Sequence, residues 1–485
     1  MKKWIVIVLL LTLVLSLCGC GKESEDAGTT GGGNGIDGVL SIGYSRVDIT
    51  PKEPIPLAGY GDSEQRMSGG FLDYLTATCI AYTGADGTTV LQFQLDHISS
   101  FASLFNKIKK AIERETGIAE ENIMIAATHT HSGPDASLTH IEAVARYQTQ
   151  LTDSMVACAK EALADRKPAT GMKMGSVTIP VNTLNFIRHY NLSNKTVAGD
   201  NFGNFSGNTI LGHTHDADSQ LQVVKLERQD GDPVVLINWQ AHPHRSNGQN
   251  KEVYYSMTSD IVGAMRDKFE KETGCKFAYY TGGSGNINSH SNITKENITK
   301  DFKEQGKALA DYAIQCYNES LTEAALGNVE IQKKIYTGTV NHTEDHLLEK
   351  ALLVKQEYQN SKNIGTASSL AKQYGMNSYF HANGIINKED LPATYDVEMW
   401  VYSIGDLAFI TAPYEMFDES GAYIKKNSPY KQTFVVTCCN GAIGYIPSIE
   451  GYNNNCYGAN TGKFIPGTGE LLAEEYVNML NDLKK

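Results

Sequence analysis

The sequence predicts a mixed fold, between the α/β and α+β classes, in which partly parallel sheets are flanked by helices. Two features of the 485-residue chain favour this class. Short apolar runs recur along the chain, and each ends in polar residues, as buried strands do. One segment with helical periodicity lies between two of these runs. A strand, helix, strand order gives a parallel pair of strands joined by a crossover helix.

Residues 1–20 have the pattern of a secretory signal. Lys2 and Lys3 precede the apolar run WIVIVLLLTLVLSL, which is short for a membrane span. The run ends in LCGC, which resembles a bacterial lipobox in which Cys20 becomes the lipidated first residue. An uncleaved anchor is the alternative. Either interpretation predicts an exported, extracytoplasmic protein held on the bacterial cell membrane, with the Gly-rich residues 21–38 as a flexible tether.

Residues 39–485 are predicted to form one large domain with insertions, of the size of a catalytic domain, because no repeat, linker or low-complexity segment interrupts them. A net charge of -13 and the lack of a basic cluster argue against a nucleic-acid partner. Besides Cys18 and Cys20, seven of the nine cysteines remain, scattered singly apart from Cys438 and Cys439. This distribution predicts buried free thiols rather than a disulfide framework, and no CxxC pair indicates a structural zinc site.

The first predicted elements form a strand, helix, strand unit. Residues 40–48 and the run ending at Asp96 have the composition of strands. A helix follows, with Leu104, Ile108 and Ile112 at four-residue spacing, and it stops at Gly117. It leads into the next apolar run, which begins at Ile123.

That run, IMIAATHTHSGP, delivers His129 and His131 to the end of a buried strand. Residues two apart in a strand point the same way, so the two imidazoles are predicted to share one face. Open α/β sheets bind their ligands at the carboxyl ends of strands. The pair therefore indicates a metal ligand beside a proton-handling histidine, or else two histidines that only terminate the strand. A second HTH, His213 and His215, lies in a polar Asn- and Gly-rich segment with no strand before it and ranks lower.

Four later runs also end in residues with useful chemistry. Residues 234–241 deliver His242, followed by His244 and Arg245, and residues 277–280 lead into TGGSGNINSH. Residues 407–411 precede Glu415, and residues 433–438 precede a segment with Tyr445, Tyr452 and Tyr457. If these ends converge on one rim, they offer imidazole, carboxylate and phenol, a ligand set that suits zinc with an open position for water or substrate. Such a metal would activate water and polarise a carbonyl.

Several ordered segments resemble the neutral, non-lysosomal ceramidase family. They are YSRVDITPKEPIPLAGYG, ATHTHSGP, NWQAHPH, YTGGSGNIN, APYEMF and GYIPSIEGY, and the resemblance extends to PGTGELL near Pro466. It implies a ceramidase-type catalytic domain that hydrolyses an N-acyl amide bond, as in a ceramide-like sphingolipid, with zinc-activated water.

The resemblance also implies roles for individual residues. The matching zinc ligands are His129, His242, Glu415 and Tyr445. His131 matches the family's second, proton-handling histidine, and Tyr457 matches its substrate-contacting tyrosine. Arg188, in NFIRHY, matches an arginine that binds near the reacting group.

The chain departs from the family pattern in one catalytic segment. Asn288 stands where ceramidases carry a serine assigned as essential, and Asn286 replaces an aspartate. A carboxamide cannot be a nucleophile, whereas zinc-activated water needs no serine. The chain also ends too early for the carboxyl-terminal immunoglobulin-like domain of ceramidases.

Three functions therefore stay open at this stage. The first is a lipid-anchored zinc amidohydrolase acting on a lipid or small-molecule amide. The second is a non-catalytic or solute-binding surface lipoprotein, and the third is a zinc hydrolase of another amide or ester. The 25 tyrosines could line a groove for sugar or for lipid, and the sequence does not decide between them. The polar residues 191–218 are compatible with a loop over the site or with a plain surface insertion.

Overall fold

The computed structural model describes residues 38–60, 63–293 and 301–485. All of them belong to one compact unit, Gly32–Lys485. The predicted signal peptide, the lipidation site Cys20 and the tether up to residue 37 lie outside the described residues. No helix in the described part of the chain is long and apolar enough to cross a membrane.

Strands and helices alternate along most of the chain. The strands are β1 (Ser41–Asp48), β2 (Gly70–Phe71), β3 (Thr76–Thr83), β4 (Thr89–Leu95), β5 (Ile123–Ala127), β6 (Lys167–Thr178), β7 (Phe186–Ile187), β8 (His189–Leu192), β9 (Val197–Gly199), β10 (Ile210–His213), β11 (Gln220–Arg228), β12 (Gly231–Trp239), β13 (Ser256–Met257), β14 (Lys276–Thr281), β15 (Ile287–Asn288), β16 (Thr322–Ala324), β17 (Val329–Thr339), β18 (Thr394–Ile404), β19 (Leu407–Thr411), β20 (Glu415–Met416), β21 (Gln432–Val436) and β22 (Tyr445–Ile446). The helices are α1 (Ala102–Thr116), α2 (Glu142–Ala164), α3 (Lys251–Tyr254), α4 (Asp260–Thr273), α5 (Phe302–Glu319), α6 (Leu348–Ser361), α7 (Ile364–Gln373), α8 (Tyr379–Ile386), α9 (Asp418–Asn427), α10 (Ile449–Asn453), α11 (Tyr457–Thr461) and α12 (Thr468–Leu483).

Two mixed sheets form the centre of the fold. The larger has the order β14-β12-β11-β6-β1-β3-β4-β5, with β16 added on β6, and the smaller has the order β17-β18-β19-β21. The pairs β4/β5, β12/β14 and β19/β21 are parallel. Helix α1 connects β4 to β5, and it ends at Gly117 in the left-handed conformation. The predicted fold class and the predicted strand, helix, strand unit are confirmed.

The two sheets pack face to face, and helices cover their outer faces. Ile80, Tyr82 and Val224 of the larger sheet contact Phe409 and Phe434 of the smaller in one buried cluster. Helices α1 and α2 cover one half of the larger sheet, and α4 and α5 cover the other half. Helix α12 covers the smaller sheet. Apolar strands buried on both faces therefore account for the continuous apolar runs of the sequence.

The larger sheet curls until its two edge strands meet. Strands β14 and β5 lie at opposite ends of the strand order, yet the Thr281 hydroxyl at the end of β14 donates to the carbonyl of Thr128 after β5, at 2.8 Å. The segment after β21 closes this junction, since the Thr437 amide donates to the Thr281 carbonyl at 3.0 Å and the Asn440 amide to Ile125 at 2.8 Å. The curl brings the carboxyl ends of β5, β12 and β14 from one sheet and of β19 and β21 from the other to one place.

Candidate active site

His129 and His131 lie in a turn beyond β5 rather than on its last residues. The strand ends at Ala127, and His129 adopts a left-handed φ of 69°. The prediction that strand alternation aligns the two rings is therefore wrong, because the turn interrupts the alternation. A backbone hydrogen bond holds this strained residue in place, since the His129 amide donates to the His97 carbonyl at 2.9 Å. The two ring centroids still lie only 5.1 Å apart.

Three polar atoms from three separate elements converge beside this turn. His129 Nε2 lies 3.1 Å from His242 Nε2 and 3.3 Å from Glu415 Oε2. His242 Nε2 lies 3.4 Å from the same carboxylate oxygen. Both histidines are buried, and Glu415 Oε2 is buried with no hydrogen-bond donor among the described residues. These atoms therefore face one shared point in the interior.

The other ring nitrogen of each histidine is held by the main chain. His129 Nδ1 lies 2.5 Å from the carbonyl of Ile98, and His242 Nδ1 lies 2.9 Å from the carbonyl of Ser284. A carbonyl can only accept, so each Nδ1 carries the proton when the ring is neutral, and each Nε2 presents a lone pair. A backbone carbonyl behind a ligand histidine is the usual second layer of a metal site.

Tyr445 joins the group through strand pairing. In the short parallel pair β20/β22, Glu415 is the direct partner of Tyr445. Burial, followed by the charge of Glu415, raises the pKa of Tyr445 well above its usual value. Arg188 stacks over the Tyr445 ring at 5.2 Å and over the Tyr457 ring at 5.8 Å, and it donates to the Gly285 carbonyl. The structure thus places Arg188 and Tyr457 beside the predicted ligands.

His131 lies beside the cluster formed by His129, His242 and Glu415. Its ring centroid is 5.0 Å from that of His242 and 5.0 Å from that of Tyr60. Neither nitrogen has a hydrogen-bond partner among the described residues, although both are buried. One ligand atom each from His131, His129 and His242 lies within 4.8 Å of the others. His131 is therefore positioned either to exchange a proton with a bound group or to serve as a further metal ligand.

The electrostatics of the cluster suit a cation. Burial and the neighbouring His129 lower the pKa values of His131 and His242, so both rings are neutral. Burial alone would lower the pKa of His129, but Cys438 and Glu415 together raise it well above its usual value. The negative charge of Glu415 therefore favours a cation at this point, where neutral imidazoles and the carboxylate would bind a metal ion.

The distances between the candidate ligand atoms also fit a metal site. In a tetrahedral zinc site with bonds of about 2.0–2.1 Å, ligand atoms lie about 3.3 Å apart. The distances between the Nε2 atoms of His129 and His242 and Glu415 Oε2 are 3.1 to 3.4 Å. The unpartnered oxygen of Glu415 is the buried acceptor that such an ion would satisfy.

The glycine-rich turn after β14 has a supporting role. Asn288 Oδ1 accepts from His244 Nε2 at 3.1 Å, and its amide nitrogen donates to Asp200 at 3.1 Å. Asn286 donates to Glu419 at 2.8 Å and accepts from the Asp418 amide at 2.8 Å. Both asparagines thus connect neighbouring segments around the site by paired amide hydrogen bonds.

Sequence reasoning missed Arg66 as a supporting residue. Arg66 is 1% exposed and donates to the carbonyls of His131 and Ala58 at 2.5 and 2.9 Å, so it fixes the turn that carries the histidines. Its guanidinium also lies 5.0 Å from the centre of the Tyr60 ring and 4.4 Å from that of Tyr254. No periodic pattern surrounds Arg66 in the sequence, so its position carried no signal.

The second HTH is not part of this cluster. His213 Nδ1 contacts the Ile187 carbonyl at 2.5 Å, and its Nε2 contacts Ser291 Oγ at 3.0 Å. His215 instead lies near Glu419 and Glu450, with ligand atoms within 4.8 Å. Strand β10 ends at His213, so the prediction that no strand leads into this pair is wrong. The lower ranking of this pair agrees with its hydrogen bonding.

A sequence model of one protein family matches this chain over residues 40–291, and its description is neutral/alkaline non-lysosomal ceramidase, N-terminal. The chain belongs to this ceramidase family. Membership assigns it to a family of amide-bond hydrolases. The matched region contains His129, His131, His242 and Arg188, whereas Glu415 lies beyond it.

Two solved structures share the fold. The crystal structure of neutral ceramidase from Pseudomonas aeruginosa aligns with a TM-score of 0.65 at 16% identity, over 92% of this chain and 75% of that one. A structure of a ceramidase complexed with C2 aligns with a TM-score of 0.64 at 16% identity, over 92% of this chain and 76% of that one. At this identity the likeness establishes the ceramidase fold for most of the chain.

Proposed function

We propose that this ceramidase-family chain is a zinc-dependent hydrolase of an N-acyl amide bond, of the kind found in ceramide-like lipids. The convergence of His129 Nε2, His242 Nε2 and Glu415 Oε2 at 3.1 to 3.4 Å carries the proposal. Family membership supports the amide bond as the target. Tyr445 would complete the ligand set, since it is paired with Glu415.

Zinc held by these residues would supply Lewis acidity and would lower the pKa of a bound water towards neutrality. Around it, the chain's own groups divide the remaining work. His131 is neutral, and neither of its ring nitrogens has a partner among the described residues, so it can accept a proton and pass it to the leaving amine. Arg188 and the Tyr457 hydroxyl offer hydrogen-bond donors to the carbonyl oxygen as its negative charge grows.

A serine nucleophile is not required by this arrangement. The residue at the family's serine position, Asn288, is committed to His244 and Asp200. Ser284 presents its carbonyl to His242, and the Ser289 hydroxyl contacts His244 Nδ1 at 3.1 Å. Because a carboxamide cannot be a nucleophile, the asparagine at the family's serine position favours attack by water there.

The test is hydrolysis of a panel of N-acyl substrates, including a short-acyl ceramide, before chelation, after chelation and after addition of zinc. We expect cleavage that is lost on chelation and restored by zinc. Cleavage that is insensitive to complete removal of metal would contradict the zinc mechanism. Lack of cleavage of every amide by zinc-loaded protein would contradict the hydrolase.

Export and anchoring form a separate proposal. Lys2 and Lys3, the apolar run and LCGC support a lipidated Cys20 that holds the enzyme on the outer side of the bacterial cell membrane. Mass spectrometry of the amino-terminal peptide from membranes tests it, with Cys20→Ser as the variant. We expect a diacylated peptide from the natural chain, and an unmodified, intact Met1 terminus would contradict lipidation.

A further inference from the structure

A wall of aromatic rings leads outward from the candidate metal centre. Each ring contacts the next, in the order Tyr445, Tyr457, Phe380, Tyr379 and Tyr358. The successive centroid distances are 5.5, 5.6, 5.6 and 4.5 Å. We call the space along this wall the outer groove. The wall connects the catalytic residues to helices α6 and α8.

The outer groove consists of two adjoining cavities of about 720 and 630 Å³. The inner cavity is lined by His131, Arg188 and Tyr445, so it opens directly on the catalytic residues. Both cavities share Tyr60, Lys362 and several other lining residues, which makes them parts of one space. The space is large enough for a ligand of more than one ring.

Polar side chains fill the positions between the aromatic rings. Among the described residues that line the two cavities, Ile364 is the single aliphatic side chain. The others besides the aromatic rings and glycines are charged or can form hydrogen bonds; those from α6, α8 and the loops after them are Lys355, Gln359, Lys362, Asn363, Asn383 and Asn387. An alkyl chain laid along this surface would bury amides and ammonium groups without partners, which costs free energy. A ligand made of hydroxylated rings would instead form hydrogen bonds with these groups and place its ring faces against the aromatic rings.

The wall is a fixed part of the fold. Helices α6, α7 and α8 have a small core of their own, which includes Ala351, Val354 and Ala382. Helix α8 packs so closely on α11 that a Cβ at Gly384 would lie 2.1 Å from the Asn460 carbonyl oxygen. Asn377 also donates to Asn460 at 3.1 Å. The helices therefore hold Phe380 beside Tyr457 without needing a ligand.

We propose that the substrate is an N-acylated amino sugar with at least one further sugar unit, whose rings lie along the outer groove. This inference rests on the proposed amide hydrolysis and names its substrate class. In the reaction the amide C–N bond breaks, water supplies hydroxide to the carbonyl carbon and a proton to the nitrogen, and a carboxylate and a free amino sugar leave. The acyl group lies at the metal centre and the saccharide lies against Tyr457 and Phe380.

The first test compares two substrates on the zinc-loaded mature protein. They are N,N′-diacetylchitobiose and a short-acyl ceramide, and release of free amine is measured for both. We expect kcat/KM to be at least roughly tenfold higher for the disaccharide. Cleavage of the ceramide with equal or higher kcat/KM would overturn the saccharide inference and leave the amide hydrolase standing. Cleavage of neither would overturn the saccharide inference, and the wider N-acyl panel then decides whether the amide hydrolase stands.

The second test removes one ring of the wall. Phe380→Ala should raise KM for the disaccharide roughly tenfold, while Phe380→Tyr, which keeps the ring, should retain the natural KM. Tyr423→Ala is the matched control, because Tyr423 is an exposed aromatic residue on α9 that lines neither cavity. An unchanged KM in Phe380→Ala, with folding shown by circular dichroism, would contradict binding along the wall.

Discussion

Glu415 and Tyr445 are direct partners in the parallel pair β20/β22. Side chains of paired residues point to the same side of a sheet, so this one register position delivers a carboxylate and a phenol together. The carboxylate then meets the imidazole of His129, which follows the edge strand β5, and that of His242, which follows β12 beside the other edge of the curled sheet. The candidate centre therefore depends on a short strand pair as well as on the histidines.

The charge of Glu415 is expected to be essential for metal binding. Glu415→Gln keeps the shape of the side chain but removes the negative charge, and loss of a direct ligand should exceed the 10- to 100-fold effect typical of second-layer changes. Zinc affinity measured by competition with a chelating dye should fall by roughly a hundredfold or more. Glu474→Gln, at an exposed position on α12, is the control. Natural affinity in the Glu415 variant would exclude the residue as a ligand.

Tyr457 is expected to act on the reaction rather than on the metal. Burial and then Glu415 raise the pKa of Tyr457 to about 12, so the phenol remains a donor at neutral pH. Tyr457→Phe should retain zinc and lose about a hundredfold in kcat, as removal of one oxyanion donor does. Tyr423→Phe serves as the exposed control. Loss of zinc from the Tyr457 variant would instead make this residue a ligand.

Substitution of Asn288 tests whether hydrolysis needs the serine that the family carries at this position. Asn288→Ser should keep zinc and chelator-sensitive hydrolysis, because the attacking group is water. Asn288→Ala should weaken folding by about 1–3 kcal/mol, since it removes the partner of the buried His244 and of Asp200. Denaturant unfolding and kcat report the two effects separately. A large gain in kcat in the serine variant alone would favour a serine-centred mechanism.

The folding stability of the helices that build the outer groove should depend on pH through the carboxylate of Glu344. Its hydrogen bond with His381, at 3.0 Å, lowers the pKa of Glu344 in the folded protein. A lowered pKa stabilises the folded state above the unfolded value of about 4.3, and this stabilisation is lost as pH falls through the folded pKa. Glu344 is about one-third exposed, so the contribution is roughly 0.5–1 kcal/mol after solvent screening.

The measurement is the difference in unfolding free energy between the natural chain and Glu344→Gln. We expect a difference at pH 7 that shrinks towards zero in acid, as pH falls through the lowered folded-state pKa and the natural residue also becomes neutral. Glu349→Gln, an exposed residue of α6, should show no difference at either pH. A difference that persists unchanged in acid would rule out the carboxylate charge as its source.

Local features of the fold could be predicted from sequence. The apolar run 123–127, the spacing of Leu104, Ile108 and Ile112, and the stop at Gly117 specify the unit β4, α1, β5 without distant contacts. His129, His242, Glu415 and Tyr445 could be named because each follows such a run, whereas Arg188 was indicated only by the family resemblance.

Features that depend on distant packing could not be predicted. The curl that joins Thr281 to Thr128 arises from sheet twist and from packing on the second sheet, which no local pattern encodes. The left-handed turn at His129 needs the Arg66 and His97 contacts that hold it. Phe380 reaches the site only because α8 packs on α11, so the aromatic wall had no signal in the sequence.

Metal content tests the central claim most directly. Zinc per chain should be measured by mass spectrometry of the purified mature protein and of His129→Ala, with His346→Ala as an exposed histidine control. We expect about one zinc ion per chain in the natural protein and in the control, and none in His129→Ala. Metal-free natural protein after zinc loading, or stoichiometric zinc in His129→Ala, would contradict the proposed centre.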